Sequence, residues 1–131
     1  MNKFYAGVAN VLELPEVSGT TRFRDVATWC SLHAFGLLVM MENDFSSPIT
    51  LDEFMKKETV DDLFEVALLT LAAKIFNVEK SSLSLDTAYG SIKEWDSVNH
   101  LRLVMESEKK FGLSFPIEKI EQLKKLSDFI C

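Results

Sequence analysis

Glu94-Trp95-Asp96-Ser97-Val98-Asn99-His100-Leu101-Arg102-Leu103-Val104-Met105-Glu106, running on to Phe111-Gly112-Leu113-Ser114-Phe115-Pro116, is the stretch from which the fold can be read. It has the marks of a helix with a prepared start. Asp96 or Ser97 can cap it, because a short side-chain oxygen accepts from first-turn amides that have no partner within the helix. Val98, Leu101, Met105 and the stem of Glu108 recur at three- and four-residue spacing, which predicts one buried face. Phe111-Gly112 predicts the stop, since glycine readily takes the left-handed geometry of a helix end. Pro116 suits the first turn of a further short helix. A hydroxyl at Ser97 would stand in the positive field of the helix start, where free amides and the dipole hold an attached anion.

Apolar residues continue beyond this stretch through Ile117, Ile120, Leu123, Leu126 and Phe129-Ile130. Trp95-Asp96-Ser97-Val98, the amphipathic segment after it and Phe111 to Pro116 together resemble the signature of acyl and peptidyl carrier proteins. The resemblance implies that Ser97 carries a 4′-phosphopantetheine arm, which would make the chain a phosphoprotein. A phosphopantetheinyl transferase would take the arm from coenzyme A using Mg²⁺, with Asp96 helping to organise the transferase's metal site. The thiol of the arm would hold acyl or aminoacyl cargo as a thioester for enzymes of lipid or secondary-metabolite biosynthesis. The chain itself would then be no enzyme. Partner docking is expected of Val98, Arg102, Met105 and Glu106, and an apolar cargo would be lined by Val98, Leu101, Met105, Ile120 and Phe129.

Sliding the sequence against itself exposes a repeat. At an offset of 66, Trp29-Cys30-Ser31-Leu32 lies on Trp95-Asp96-Ser97-Val98 without a gap. Glu13 falls on Glu79, Phe23 on Tyr89, Leu37 on Leu103, Glu42 on Glu108 and Phe45 on Phe111. Leu51 meets Ile117, Phe54 meets Ile120, Val60 meets Leu126, and Leu63-Phe64 meet Phe129-Ile130. Only 10 of 65 aligned pairs are identical, so the argument rests on the coincidence of landmarks. The fold expected is all-α, two acyl-carrier-like four-helix modules in tandem over residues 1–65 and 66–131.

In the first module a helix is expected from Asn2 to Leu12, a second from Ser31 to Asn43, and a third capped by Thr50 and running through Met55. Thr59 with Asp62 gives a capping signal for a fourth, although Asp is a weaker partner there than Glu. From Asp61 to Phe76 there is no Gly, Pro or polar linker, which predicts one fused helix joining the modules.

The first module departs from the family pattern. Cys30 replaces the Asp before Ser31, so Ser31 is only a possible second attachment site. Leu32, Phe35, Leu38 and Val39 are expected on the core side of its second helix, with His33, Ala34, Gly36, Met40, Met41 and Asn43 outside. In the second module Asn99, His100, Arg102, Glu106, Ser107 and Lys109 take that outer face. A helix apolar nearly all round, as Leu32 to Met41 is, calls for cover on both sides. The second module, a second copy in a homodimer, or a partner protein could supply it. The first module reads as structural or partner-binding. The alternative for the whole chain is an unmodified helical scaffold.

Composition bounds these readings. An apolar fraction of 47% suffices for a core, and a net charge of −6 disfavours nucleic acid or an anionic membrane as partner. Residues 1–65 hold five Lys/Arg and eleven Asp/Glu, whereas residues 66–131 hold nine of each. No apolar run reaches membrane-spanning length and the start lacks a signal-type apolar region, so a cytoplasmic protein is expected. Cys30 and Cys131 make no disulfide framework. Cys30 reads as a small buried apolar residue or as a reactive thiol at a helix start. Asp96, Ser97 and His100 on one short helix are poorly placed for a hydrolytic triad, no metal-ligand spacing occurs, and His33 and His100 read as surface or interface residues.

Overall fold

The computed structural model describes residues 3–27 and 29–130. The fold is all-α. Its helices are α1 (Lys3–Leu12), α2 (Ser31–Asn43), α3 (Leu51–Met55), α4 (Val60–Phe76), α5 (Ser97–Phe111) and α6 (Ile117–Ile120). Single 3₁₀ turns occupy Phe23–Asp25, Lys80–Ser82 and Leu126–Phe129. The only β pairing among the described residues is two isolated bridges, Arg22 with Thr59 and Ala88 with Lys125. The chain divides into two compact units between Ala67 and Leu68, and α4 runs through that division without a break. The expected helix start at Asn2, and Cys131, lie outside the described residues.

Local chemistry places the helix ends. Thr50 Oγ1 accepts from the Glu53 amide at 3.1 Å. Thr59 and Asp62 form a reciprocal capping box at the head of α4: the Asp62 amide donates to Thr59 Oγ1 at 3.2 Å and the Thr59 amide to Asp62 Oδ2 at 3.0 Å. Asp62 Oδ2 also accepts from the Glu58 amide at 2.9 Å, so the shorter acid serves here. Gly112 closes α5 at φ 66°, and Ser46 holds the matching left-handed position after α2 at φ 50°.

The two bridges stand 66 residues apart, and so do several hydrogen bonds. The Ser18 amide donates to Thr21 Oγ1 at 2.9 Å, and the Ser84 amide to Thr87 Oγ1 at 2.9 Å. Val60 N–H reaches the Thr21 carbonyl at 3.0 Å as Leu126 N–H reaches that of Thr87 at 3.1 Å. Asp128 Oδ2 takes the amides of Lys124 and Lys125, as Asp62 takes those of Glu58 and Thr59. The register changes at the first helix. Glu13 (φ 59°) and Asn77 (φ 57°) hold the same left-handed turn, followed by Leu14 N–H to Ala9 and Val78 N–H to Ala73. Glu13 therefore answers to Asn77, not to Glu79, because the loop after it is two residues longer in the second unit.

Each unit has its own aromatic core. In the first, Phe4 stacks on Phe64 at 5.0 Å and meets Phe45 at 4.9 Å, and Phe23 meets Phe54 at 5.4 Å. In the second, Phe76 stacks on Trp95 at 5.4 Å and Phe115 meets Phe129 edge-on at 5.6 Å. Gly36 lets α2 lie close to α1, since a Cβ there would stand 2.8 Å from Val11 Cγ1.

That contact corrects the expected helix faces. In α2 the buried residues are His33, Leu37, Met40 and Met41, while Leu32, Phe35 and Val39 are exposed. In α5 they are His100, Leu103, Val104, Ser107 and Phe111, while Val98, Leu101 and Met105 are exposed. Both helices carry two apolar stripes, and the sequence reading chose the outer one. His33 and His100 are accordingly buried, not surface residues. Cys30 is exposed, which overturns its reading as a buried apolar residue.

Candidate functional site

Asp96 lies in extended backbone at the N-cap of α5, and its Oδ1 accepts from the Asn99 amide at 2.9 Å. The cap is thus Asp96, and Ser97 is the first helical residue. Ser97 is exposed, and the amides of Ser97 and Val98 have no partner among the described residues. Two donors and the helix dipole therefore face any anion attached to the Ser97 hydroxyl.

Behind Ser97, His100 ties the junction together. The Trp95 indole N–H can only donate, so His100 Nδ1 accepts from it at 3.0 Å and the ring proton sits on Nε2, which donates to the Ile120 carbonyl at 2.9 Å. With both ring nitrogens engaged, neither is left for Ser97. Asn99 Nδ2 donates to the Glu94 carbonyl at 2.7 Å and fixes the incoming chain. The Trp95–His100–Ile120 chain escaped the sequence reading, although a Trp five residues before a His at a helix start could have suggested it.

A groove of about 940 Å³ opens beside Ser97, lined chiefly by Leu101, Ile117, Ile120, Leu123, Tyr89 and the lysines 124 and 125. Of the expected lining residues, Leu101 and Ile120 are present. Val98 and Met105 point to solvent, and Phe129 is fully buried in the core. The four expected docking residues, Val98, Arg102, Met105 and Glu106, all lie exposed on α5.

The first unit differs at each of these points. Cys30 is the N-cap of α2 but its side chain caps nothing, and its Sγ lies 3.8 Å from His33 Nδ1. Ser31 is exposed at the first helical position. Leu32, Phe35 and Val39 form an exposed apolar stripe of α2, and Leu51 and Met55 are exposed on α3. Among the described residues no cluster of three His, Cys, Asp or Glu could hold a metal ion, and no helix is long and apolar enough to cross a membrane.

The chain is similar to the acyl carrier proteins of Tropheryma whipplei (strain Twist) and Tropheryma whipplei (strain TW08/27). Each is 28% identical over 53 residues, which cover 40% of this chain and 65% of the relative. The match thus spans less than two thirds of those proteins. No protein-family model matches the chain, and no solved structure does. The likeness supports an acyl-carrier-like family.

Proposed function

We propose that the chain is a carrier protein whose second module, residues 66–131, bears a 4′-phosphopantetheine arm on Ser97, and whose first module, residues 1–65, is structural or partner-binding. The observation that carries this is the placement of Ser97, exposed as the first residue of α5, beside a groove and next to an acidic cap. Loading forms a phosphodiester at Ser97 Oγ, the hydroxyl proton leaves, and the nucleotide part of coenzyme A departs. The arm supplies a thiol that holds acyl or aminoacyl groups as thioesters. Free amides at Ser97 and Val98 stabilise the new negative charge, and Asp96 presents a carboxylate to the transferase. The outer stripe of Val98, Arg102, Met105 and Glu106 is available to biosynthetic enzymes.

The test is the intact mass after incubation with coenzyme A, Mg²⁺ and a promiscuous phosphopantetheinyl transferase. One added arm, lost in Ser97→Ala and kept in Ser31→Ala, is expected. No arm with several transferases would refute the carrier reading. Asp96→Asn retains a capping oxygen, so it is expected to keep the fold while slowing loading.

One observation favours the alternative of an unmodified scaffold: the exposed apolar stripe of Leu32, Phe35 and Val39 on α2. Exposed apolar clusters mark interaction surfaces. Sedimentation of the unmodified chain would reveal a homodimer through α2, and Phe35→Glu would return it to monomer.

A further inference from the structure

We propose that Arg24 and Gly90, which occupy the same place in the repeat, decide which unit opens a groove for an acyl-pantetheine chain beside its serine. The inference rests on the carrier reading of Ser97. In the first unit the guanidinium of Arg24 lies over the Phe23 ring at 4.9 Å and the Phe54 ring at 5.1 Å. Its Nη2 donates to the Phe54 carbonyl at 2.7 Å, and its Nη1 donates to the carbonyl of Lys57. Phe54 and Lys57 correspond to Ile120 and Leu123, which line the groove of the second unit. Arg24 is therefore a built-in occupant of the first unit's version of that groove.

At position 90 the plug is missing. Gly90 has φ +81° and open space where a Cβ would be. The consequence is visible in the ring beneath: Phe23 is 0% exposed under Arg24, whereas its counterpart Tyr89 is 45% exposed. Phe54 is buried, and Ile120 is only partly so. Of the two carbonyls that Arg24 bonds, the counterpart of Lys57, Leu123, has no partner among the described residues, whereas that of Phe54, Ile120, already accepts from His100 Nε2, so one acceptor stands free in the groove.

Arg24 also shows what chemistry fits: an apolar stem ending in N–H donors aimed at main-chain carbonyls. Pantetheine bears amide N–H groups on an extended chain, and an acyl tail extends the apolar part. The charge of the lining leans the same way. Lys124 and Lys125 line the second unit's groove with one carboxylate, Glu121, and without an ion pair among the described residues, a net positive charge, whereas the residue matching Lys124 is Glu58, bonded to Arg22 at 3.3 Å.

The experiment titrates S-octanoyl-pantetheine, untethered, into the full ¹⁵N-labelled chain with Ser97 unmodified. Wild type is expected to bind one equivalent, with amide shifts at Tyr89, Leu101, Ile120 and Lys125. Arg24→Ala is expected to bind two, the new shifts falling at Phe23, Phe54 and Lys57. Phe23→Tyr with Arg24→Gly, which installs the second unit's pair, should do the same, and Ile120→Trp should lose the original site. No wild-type binding at the groove would overturn the proposal. So would one equivalent in both Arg24 variants, or loss of amide dispersion in both, since the core of Phe4, Leu37 and Phe64 should survive removal of a plug. Because the probe needs no loading, groove binding without an arm on Ser97 would refute only the carrier reading. Loading without groove binding would refute only this one.

Discussion

The Trp95 indole N–H donates to His100 Nδ1 at 3.0 Å, inside the second unit, where the indole is 1% exposed. His100 passes the constraint on to the Ile120 carbonyl and so joins the loop, α5 and the end of α6. His100→Leu leaves the buried indole N–H without this acceptor, while the Ile120 carbonyl keeps the Leu123 amide at 3.3 Å. Leaving one such buried donor unmatched costs about 1–3 kcal/mol, to be read as a lower urea midpoint with altered Trp95 fluorescence.

Ser107 is fully buried in α5, and its Oγ has no hydrogen-bond partner among the described residues. Its counterpart in the first unit is Met41, an ordinary core residue. Removing the hydroxyl removes an uncompensated desolvation cost, so Ser107→Ala is expected to raise stability by about 1 kcal/mol in urea unfolding.

The two stripes of α5 are expected to respond oppositely to substitution. Leu103 is fully buried, and Leu103→Ala should cost about 2–5 kcal/mol through lost transfer energy and a cavity. Leu101 is 52% exposed, and Leu101→Gln should change stability by less than about 0.5 kcal/mol. Phe35 and Leu37 provide the same comparison in α2.

Acid should loosen the head of α4. Burial pushes the Asp62 carboxyl up, but the amides of Thr59 and Glu58, the Thr59 hydroxyl and the charge of Lys57 together hold it below the usual range. A lowered folded value means that the ionised form is favoured by folding. Its contribution is complete above the unfolded carboxylate value of about 4 and is lost as pH falls through the lower folded value. Asp62→Asn is therefore expected to flatten the acid side of a stability–pH curve. An unchanged slope would show that the capping box does not report on pH.

Much of the fold was legible because it is written locally. The starts of α2, α3 and α5, the Gly112 stop and the helical run into Phe76 depend on caps, glycine geometry and propensity, which act over a few residues. The offset of 66 was legible through Trp29 with Trp95 and Ser31 with Ser97, and Ser18, Thr21 and Asp62 carry it into the hydrogen bonds. The two-residue change at Glu13 was hidden because Glu13 and Glu79 happen to be identical at the offset of 66, while only Ala9 and Ala73 are identical at the true offset. Ser97 and Asp96 were legible as a capped helix start.

The helices, their ends and the serine at the head of α5 were thus set by the sequence alone, since each follows from neighbours along the chain. Only the tertiary structure decided which stripe of α2 and α5 is buried. Val98, Leu101 and Met105 have helical spacing, and so do His100, Leu103, Val104, Ser107 and Phe111. Period alone sets no phase, and the polar members of the inner stripe disguised it. The core accepts His100 because Trp95 and Ile120 bond both of its ring nitrogens, partners that lie five and twenty residues away. For the same reason Arg24 could be seen to fill the space that Gly90 leaves open only once Phe54 and Lys57 were brought beside it.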